Sequence, residues 1–164
     1  MRHYPMLGAV LFDLGDTLFD LNTHDPRRYL APGVEQAYRD LLDQGYRLPP
    51  REQYLKRVFR SMTLAYFWSQ LTLREIDLLA LIRKTHRRWK VDLDRATAER
   101  YARACHQPIR EVFVAAEGAA GVLERVRQAG YAIGLVSNTF MLPKALDEDL
   151  EAAGMLDYFA CRVY

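Results

Sequence analysis

The stretch Ala9-Val10-Leu11-Phe12-Asp13-Leu14-Gly15-Asp16-Thr17-Leu18 constrains the fold most. Four apolar residues run straight into an aspartate, and a glycine, a second aspartate and a threonine follow. A short unbroken apolar run reads as a strand buried on both faces, as in a parallel sheet covered by helices. Asp and Gly then end the strand, because both favour turns over ladders. Asp13 is therefore expected at the carboxyl end of a central strand, the edge where open α/β sheets bind ligands. The plainer alternative is that Asp13 only closes the turn.

The strand is expected over 9–15, and residues 16–24 read as a polar turn, with Asn22, Thr23, His24 and Asp25 before Pro26. From about 26 to 114 the pattern is helical, with no convincing strand. Val34, Ala37, Tyr38, Leu41 and Leu42 share a face at the i, i+3, i+4 spacing, and Gly45 is a natural C-terminal stop. Pro49-Pro50 opens a second helix, whose expected buried side is Tyr54, Leu55, Val58, Phe59, Met62, Tyr66 and Phe67. Thr72 and Glu75 form a capping-box pattern before a third helix carrying Ile76, Leu79, Ala80, Leu81 and Ile82. Asp94 can cap a fourth helix through Tyr101 and Ala104.

The α/β pattern returns near 115. A helix is expected over 119–129, with Val122, Leu123 and Val126 inward and Gly130 ending it. Tyr131-Ala132-Ile133-Gly134-Leu135-Val136 is a second buried strand running into Ser137-Asn138-Thr139. A helix over 143–153 and a third strand over 158–164 complete the pattern. The expected fold is α/β: a Rossmann-like three-layer core with a parallel sheet over 1–25 and 115–164, plus an inserted all-helical cap over 26–114.

The chain has 164 residues, and 23 Lys+Arg against 21 Asp+Glu leave a net charge of +2. That balance does not call for a nucleic-acid partner or a membrane surface. No apolar run approaches the ~18 residues of a membrane span, and Met1-Arg2-His3-Tyr4-Pro5 offers no signal-like region. Cys105 and Cys161 lie far apart and match no metal or redox spacing, which suits a reduced, cytoplasmic protein. His3, His24, His86 and His106 include no i, i+4 pair for a metal and read as surface or structural. The basic run over 83–90 reads as a solvated helix end. Tyr66, Phe67 and Trp68 read as cap core, Cys105 as a small buried residue, and Asp20 as a turn residue or a substrate contact.

If the two strands are neighbours, Asp13 and Ser137 meet at one edge. A carboxylate nucleophile needs an activated electrophile and a screened charge. A hydroxyl beside it can hold a phosphate oxygen, and a helix N-terminus after Ser137 would add backbone donors. Mg²⁺ lets two anions approach and is content with one or two carboxylates plus water and phosphate oxygens. Attack on a phosphate ester is a coherent use of such a site.

Phe12-Asp13-Leu14-Gly15-Asp16-Thr17-Leu18 resembles the first motif of the haloacid dehalogenase superfamily, and Leu135-Val136-Ser137-Asn138 resembles the second. The segment 118–130 and Ala153-Gly154-Met155-Leu156-Asp157-Tyr158-Phe159 are also similar to members with a helical cap inserted after the first motif. The resemblance implies that Asp13 is the nucleophile and a Mg²⁺ ligand, and that the Gly15 carbonyl is a second ligand. It implies that Thr17 supports the loop and that Ser137, with Asn138, holds the transferring phosphoryl group. Two departures stand out. The family's acid/base, an Asp two residues after the nucleophile, is replaced by Gly15, and the carboxylate falls at Asp16 instead. The family's later Lys and its further acidic Mg²⁺ ligands have no counterpart before Tyr164, and Lys144 lies too early for the first. The core is thus expected to be C-terminally incomplete, either a fragment of a longer enzyme or a shortened relative.

The expected function is Mg²⁺-dependent hydrolysis of a small phosphorylated metabolite through an aspartyl-phosphate on Asp13, with Asp16 as the candidate proton donor. A 2-haloacid dehalogenase using the same Asp13 without metal is the enzyme alternative. A non-catalytic binding module is the alternative from another class. The expected partner is the small-molecule substrate, with a homodimer left open.

Overall fold

The computed structural model describes residues 8–21, 26–139 and 141–164. His3, His24 and residues 22–24 of the turn expected over 16–24 lie outside the described residues, and 19–21 of that stretch form a strand. In chain order the strands are β1 (Ala9–Phe12), β2 (Phe19–Leu21), β3 (Phe113–Ala115), β4 (Ala132–Val136) and β5 (Cys161–Val163). The helices are α1 (Pro26–Asp43), α2 (Arg51–Thr72), α3 (Leu78–Arg87), α4 (Arg95–His106), α5 (Ala119–Gln128) and α6 (Pro143–Ala152). The described residues divide into two compact units. One holds 8–21, Val112–Asn138 and Leu146–Tyr164; the other holds 26–111, 139 and 141–145.

The first unit is built on a parallel sheet in the order β1-β4-β5. Ala9, Val10, Leu11 and Phe12 pair with Ala132, Ile133, Gly134 and Leu135, and Gly134, Leu135 and Val136 pair with Cys161, Arg162 and Val163. Paired residues point to the same face. Val10, Phe12, Ile133, Leu135 and Arg162 share one face, on which Ile133 and Leu135 are buried. Helix α6 lies on that side, since Asp147 accepts from Arg162 Nε at 2.8 Å. Helix α5 packs on β4 with Leu123 fully buried. It ends where Gly130 takes φ +83°, a conformation without penalty only for glycine.

The expectation that β1 is central and buried on both faces is not met. Among the described strands β1 is an edge with one partner, and β4 is the centre. Leu11 is 65% exposed, and the burial along β1 alternates. An apolar run cannot distinguish a strand covered on two faces from one covered on a single face.

Two strands fall where none was expected. β2 and β3 form an antiparallel ribbon with Phe19 opposite Ala115 and Leu21 opposite Phe113. The Phe19 and Phe113 rings stack with centroids 4.5 Å apart, and the Ala116 N–H donates to the Leu18 carbonyl at 2.9 Å. The third strand of the sheet is shorter than expected, because a 3-10 turn occupies Leu156–Tyr158.

The second unit is helical and has its own core. Gly33 lets α1 and α4 touch backbone to backbone: a Cβ there would sit 2.7 Å from Cys105 Cα and closer still to the Ala104 carbonyl oxygen. Helix α1 stops at Gly45 (φ +85°), and the Asp94 carboxylate caps α4 by accepting from the Thr97 N–H at 2.7 Å. Two expectations fail. On α2 only Tyr54 and Val58 are buried, while Tyr66 and Phe67 are exposed. The Thr72–Glu75 capping box does not form: α2 runs on to Thr72, Leu73 turns left-handed at φ +53°, and Asp77 caps α3 through the Ala80 N–H. Lys84, Arg87, Arg88 and Lys90 are exposed, Arg87 pairing with Asp92, so the basic run is a solvated helix end.

The core of this unit contains a polar string. His86 Nδ1 donates to the Ile82 carbonyl at 2.8 Å, which leaves Nε2 to accept from the Tyr54 hydroxyl at 2.8 Å. The Tyr101 hydroxyl lies 3.0 Å from that of Tyr54. Neutral His86 satisfies this arrangement, and burial holds its pKa below the ordinary value. Folded His86 therefore binds fewer protons than unfolded His86, so stability is lost as pH falls below about 6.5. His86→Gln should lower stability at pH 7 by roughly 1–3 kcal/mol. It should also flatten the wild-type decline between about pH 7 and 5, because the carboxylates that titrate there are common to both proteins. Thermal unfolding across that range checks both; parallel curves would remove His86 as the cause. Gly33→Ala should cost about 1–3 kcal/mol by forcing α1 off α4, read as a lowered denaturation midpoint.

Candidate active site

The segment after β1 is a turn pinned by two leucines. Leu14 and Leu18 are each 2% exposed, while Asp13, Gly15, Asp16 and Thr17 between and beside them face solvent. The Leu18 and Phe19 N–H groups both donate to the Leu14 carbonyl, at 2.9 and 3.0 Å, and the Asp16 N–H donates to the Phe19 carbonyl at 2.7 Å. The carbonyls of Leu14 and Phe19 close the turn, and that of Gly15 takes no part in these bonds. Asp16 sits in the left-handed region at φ +55°, which Asp tolerates better than most residues.

Parallel pairing of Phe12 with Leu135 puts the ends of β1 and β4 side by side, about 4.8 Å apart. Asp13 follows the first and Val136-Ser137 the second. Ser137 is buried, and its N–H donates to the Val163 carbonyl at 2.9 Å, which extends the ladder one residue past β4. Asn138 beside it is exposed. The sheet thus brings Asp13 and Ser137 to one edge, and the turn adds Gly15, Asp16 and Thr17. The helix N-terminus expected after Ser137 does not follow directly: residues 138–142 intervene, and α6 opens on Pro143, which has no N–H. Lys144 is exposed in the first turn of α6. Asp20 lies on β2, exposed and opposite Val114, rather than in a turn.

The donors of this edge are hard oxygens: the Asp13 and Asp16 carboxylates and the Gly15 carbonyl. They suit Mg²⁺ in kind, since that ion takes one or two carboxylates and completes its shell with water and phosphate oxygens. They do not suit zinc or copper, which draw on His and Cys. No group of three or more His, Cys, Asp or Glu side chains that could hold a metal ion converges among the described residues. Among the same residues no helix is long and apolar enough to cross a membrane.

A family model described as haloacid dehalogenase-like hydrolase matches residues 7–164. No curated protein sequence matches the chain. The fold is similar to the crystal structure of a HAD phosphatase from Thermococcus onnurineus, at 18% identity and a TM-score of 0.52 over 95% of this chain and 61% of that one. It is similar also to that of a 2-haloacid dehalogenase from Pseudomonas syringae pv. Tomato DC3000, at 19% identity and a TM-score of 0.51 over 96% of this chain and 64% of that one. The chain therefore spans less than two thirds of either, and the two differ in the chemistry their names give. The match of the family model over nearly the whole sequence places this chain in the haloacid dehalogenase-like hydrolases.

Proposed function

We propose that the chain carries the nucleophile half of a phosphoester hydrolase acting on a small phosphorylated metabolite. The observation that carries the reading is the pairing of β1 with β4, which sets Asp13 beside Ser137 at the carboxyl edge of the sheet. An Asp13 carboxylate oxygen attacks phosphorus as the bond to the leaving alkoxide breaks, giving an aspartyl-phosphate. The alkoxide takes a proton from Asp16 or from water. Water then attacks the same phosphorus, inorganic phosphate leaves, and the Asp13 carboxylate is restored. The Ser137 hydroxyl and Asn138 hold the non-bridging oxygens, and Thr17 supports the turn. Asp13 and the Gly15 carbonyl would hold Mg²⁺, which when bound screens the charge between carboxylate and phosphate.

A second carboxylate at Asp16, three residues beyond the nucleophile, favours phosphoryl transfer over attack on a haloalkanoate carbon, which needs no proton donor for a halide. The segment 26–114 is assigned the part of a cap that excludes bulk water from the reaction. Both cysteines are free thiols, which accords with a cytoplasmic setting.

With p-nitrophenyl phosphate, Asp13→Asn should reduce turnover by at least about 1,000-fold, as loss of a nucleophile does. Asp16→Asn should reduce it by about 10²–10⁴-fold. A chelator should abolish turnover and added Mg²⁺ restore it. Equal rates for wild type and Asp13→Asn would sink the reading, and release of chloride from 2-chloropropionate without metal would replace it with dehalogenation.

A further inference from the structure

Helix α2 carries two stripes of helical spacing, and only one of them is covered. Tyr54 and Val58 are buried and Met62, Ala65 and Ser69 half-buried, which marks the side that packs on its own unit. Leu64, Phe67, Trp68 and Leu71 recur at i, i+3, i+4 and i+7 on a second side, about 130° round the helix. They are 44%, 57%, 59% and 60% exposed, and Leu73 just past the helix end is 92% exposed. The Phe67 and Trp68 rings meet edge to face with centroids 6.4 Å apart. A surface helix ordinarily turns a charged side to water opposite its single apolar stripe. Here residues 61–73 hold no charged side chain at all.

The size of the patch and its symmetry say what covers it. At ~200 Å² for a large side chain, the exposed parts of these five residues amount to on the order of 600 Å². A monomer rarely leaves that much apolar surface contiguous. Two such patches bury about the 1,200 Å² at which specific interfaces begin. The stripe is also matched to its own image. In an antiparallel pair about a two-fold axis level with the 67–68 peptide, Leu64 lies over the partner's Leu71. Phe67 and Trp68 then meet their own copies on either side of the axis. Arg60, one turn before Leu64 on the same side, reaches the carboxyl end of the partner's α2. That end carries the negative pole of the helix dipole and has no basic residue in its last turn. Arg74 and Glu75 follow it, both exposed, and Glu75 is the carboxylate that Arg60 can meet. A parallel pair would instead set Arg60 against Arg60 and like poles together. A helix that lies on a membrane surface has a polar side rich in Lys and Arg, and 61–73 offer none.

We propose that the chain forms a homodimer by antiparallel packing of α2 on the α2 of a second copy, along Leu64, Phe67, Trp68 and Leu71. None of these residues belongs to the candidate active site, so the dimer and the phosphatase reading stand or fall separately.

Sedimentation equilibrium of the 164-residue chain, run over a wide concentration range at low salt, tests the dimer. The mass should approach twice that of the monomer as concentration rises. Trp68→Lys should raise the dissociation constant at least about 30-fold, as loss of a central anchor does. Trp68 is exposed within its own chain, so the thermal midpoint of dilute protein should not move with it. Arg60→Glu should weaken the dimer about threefold or more, and adding Glu75→Arg should restore it. A monomer at every concentration overturns the proposal, as does a dimer indifferent to Trp68→Lys or a charge swap that restores nothing. A monomeric chain that binds phosphatidylglycerol vesicles, and loses them with Trp68→Lys, assigns the stripe to lipid and overturns it too.

Discussion

The parallel ladder between β1 and β4 is the constraint on which the first unit depends. It ties Ala9–Phe12, before the long helical segment, to Ala132–Val136 after it in the sheet that carries the site. Its register decides which side chains face the helices. With Phe12 opposite Leu135, Ile133 and Leu135 enter the core while Gly134 and Val136 face the other way. A slip of one residue in β4 would reverse those roles and expose both large residues. It would also shift Ser137 by about 3.3 Å along the strand relative to Asp13. Core packing and site geometry are thus fixed by the same hydrogen bonds.

The helical unit draws its stability from different physics. Its tightest approach, at Gly33, removes a side chain so that α1 and α4 backbones meet. Its largest buried side chain is Tyr54, whose ring also contacts Tyr38 and Trp89 and whose hydroxyl joins His86 and Tyr101. Such a network rewards uniqueness, because each buried polar atom has one good partner and a misplaced one is costly. None of these groups belongs to the candidate site. The long segment can therefore change its exposed face without disturbing its core.

The signals that survived translation from sequence to structure were those set by local chemistry. The apolar runs at 9–12 and 132–136, the stops at Gly45 and Gly130 and the cap at Asp94 each depend on a few adjacent residues. The positions of Asp13 and Ser137 at the ends of paired strands were legible for the same reason: each ends an apolar run in a polar residue. What failed depended on contacts distant in sequence. β2 and β3 have three residues each, too few for a period, and they exist because Phe19 meets Phe113 across the whole helical segment. Tyr66 and Phe67 match a helical stripe, but α2 outruns the neighbours that could cover it. Thr72 and Asp77 both offered a cap, and the left-handed turn at Leu73 decided between them by ending one helix before the next began. The edge position of β1 was hidden because an apolar strand looks alike with one cover or two.

The swapped order of Gly15 and Asp16 has a structural reading of its own. The turn demands a left-handed residue at the third position after Asp13, and that position holds Asp16, not the glycine beside it. A non-glycine residue there costs about 1 kcal/mol, less for Asp than for branched residues. Gly15 at φ > 0 and Asp16 in an ordinary conformation would avoid the cost, but the hydrogen bond from the Asp16 N–H to the Phe19 carbonyl fixes which residue bends. That bond is part of the joint between the turn and β2, so the strain is imposed by the ribbon of β2 and β3 that follows. Asp16 itself is exposed, while Leu14 and Leu18 anchor the turn from the buried side.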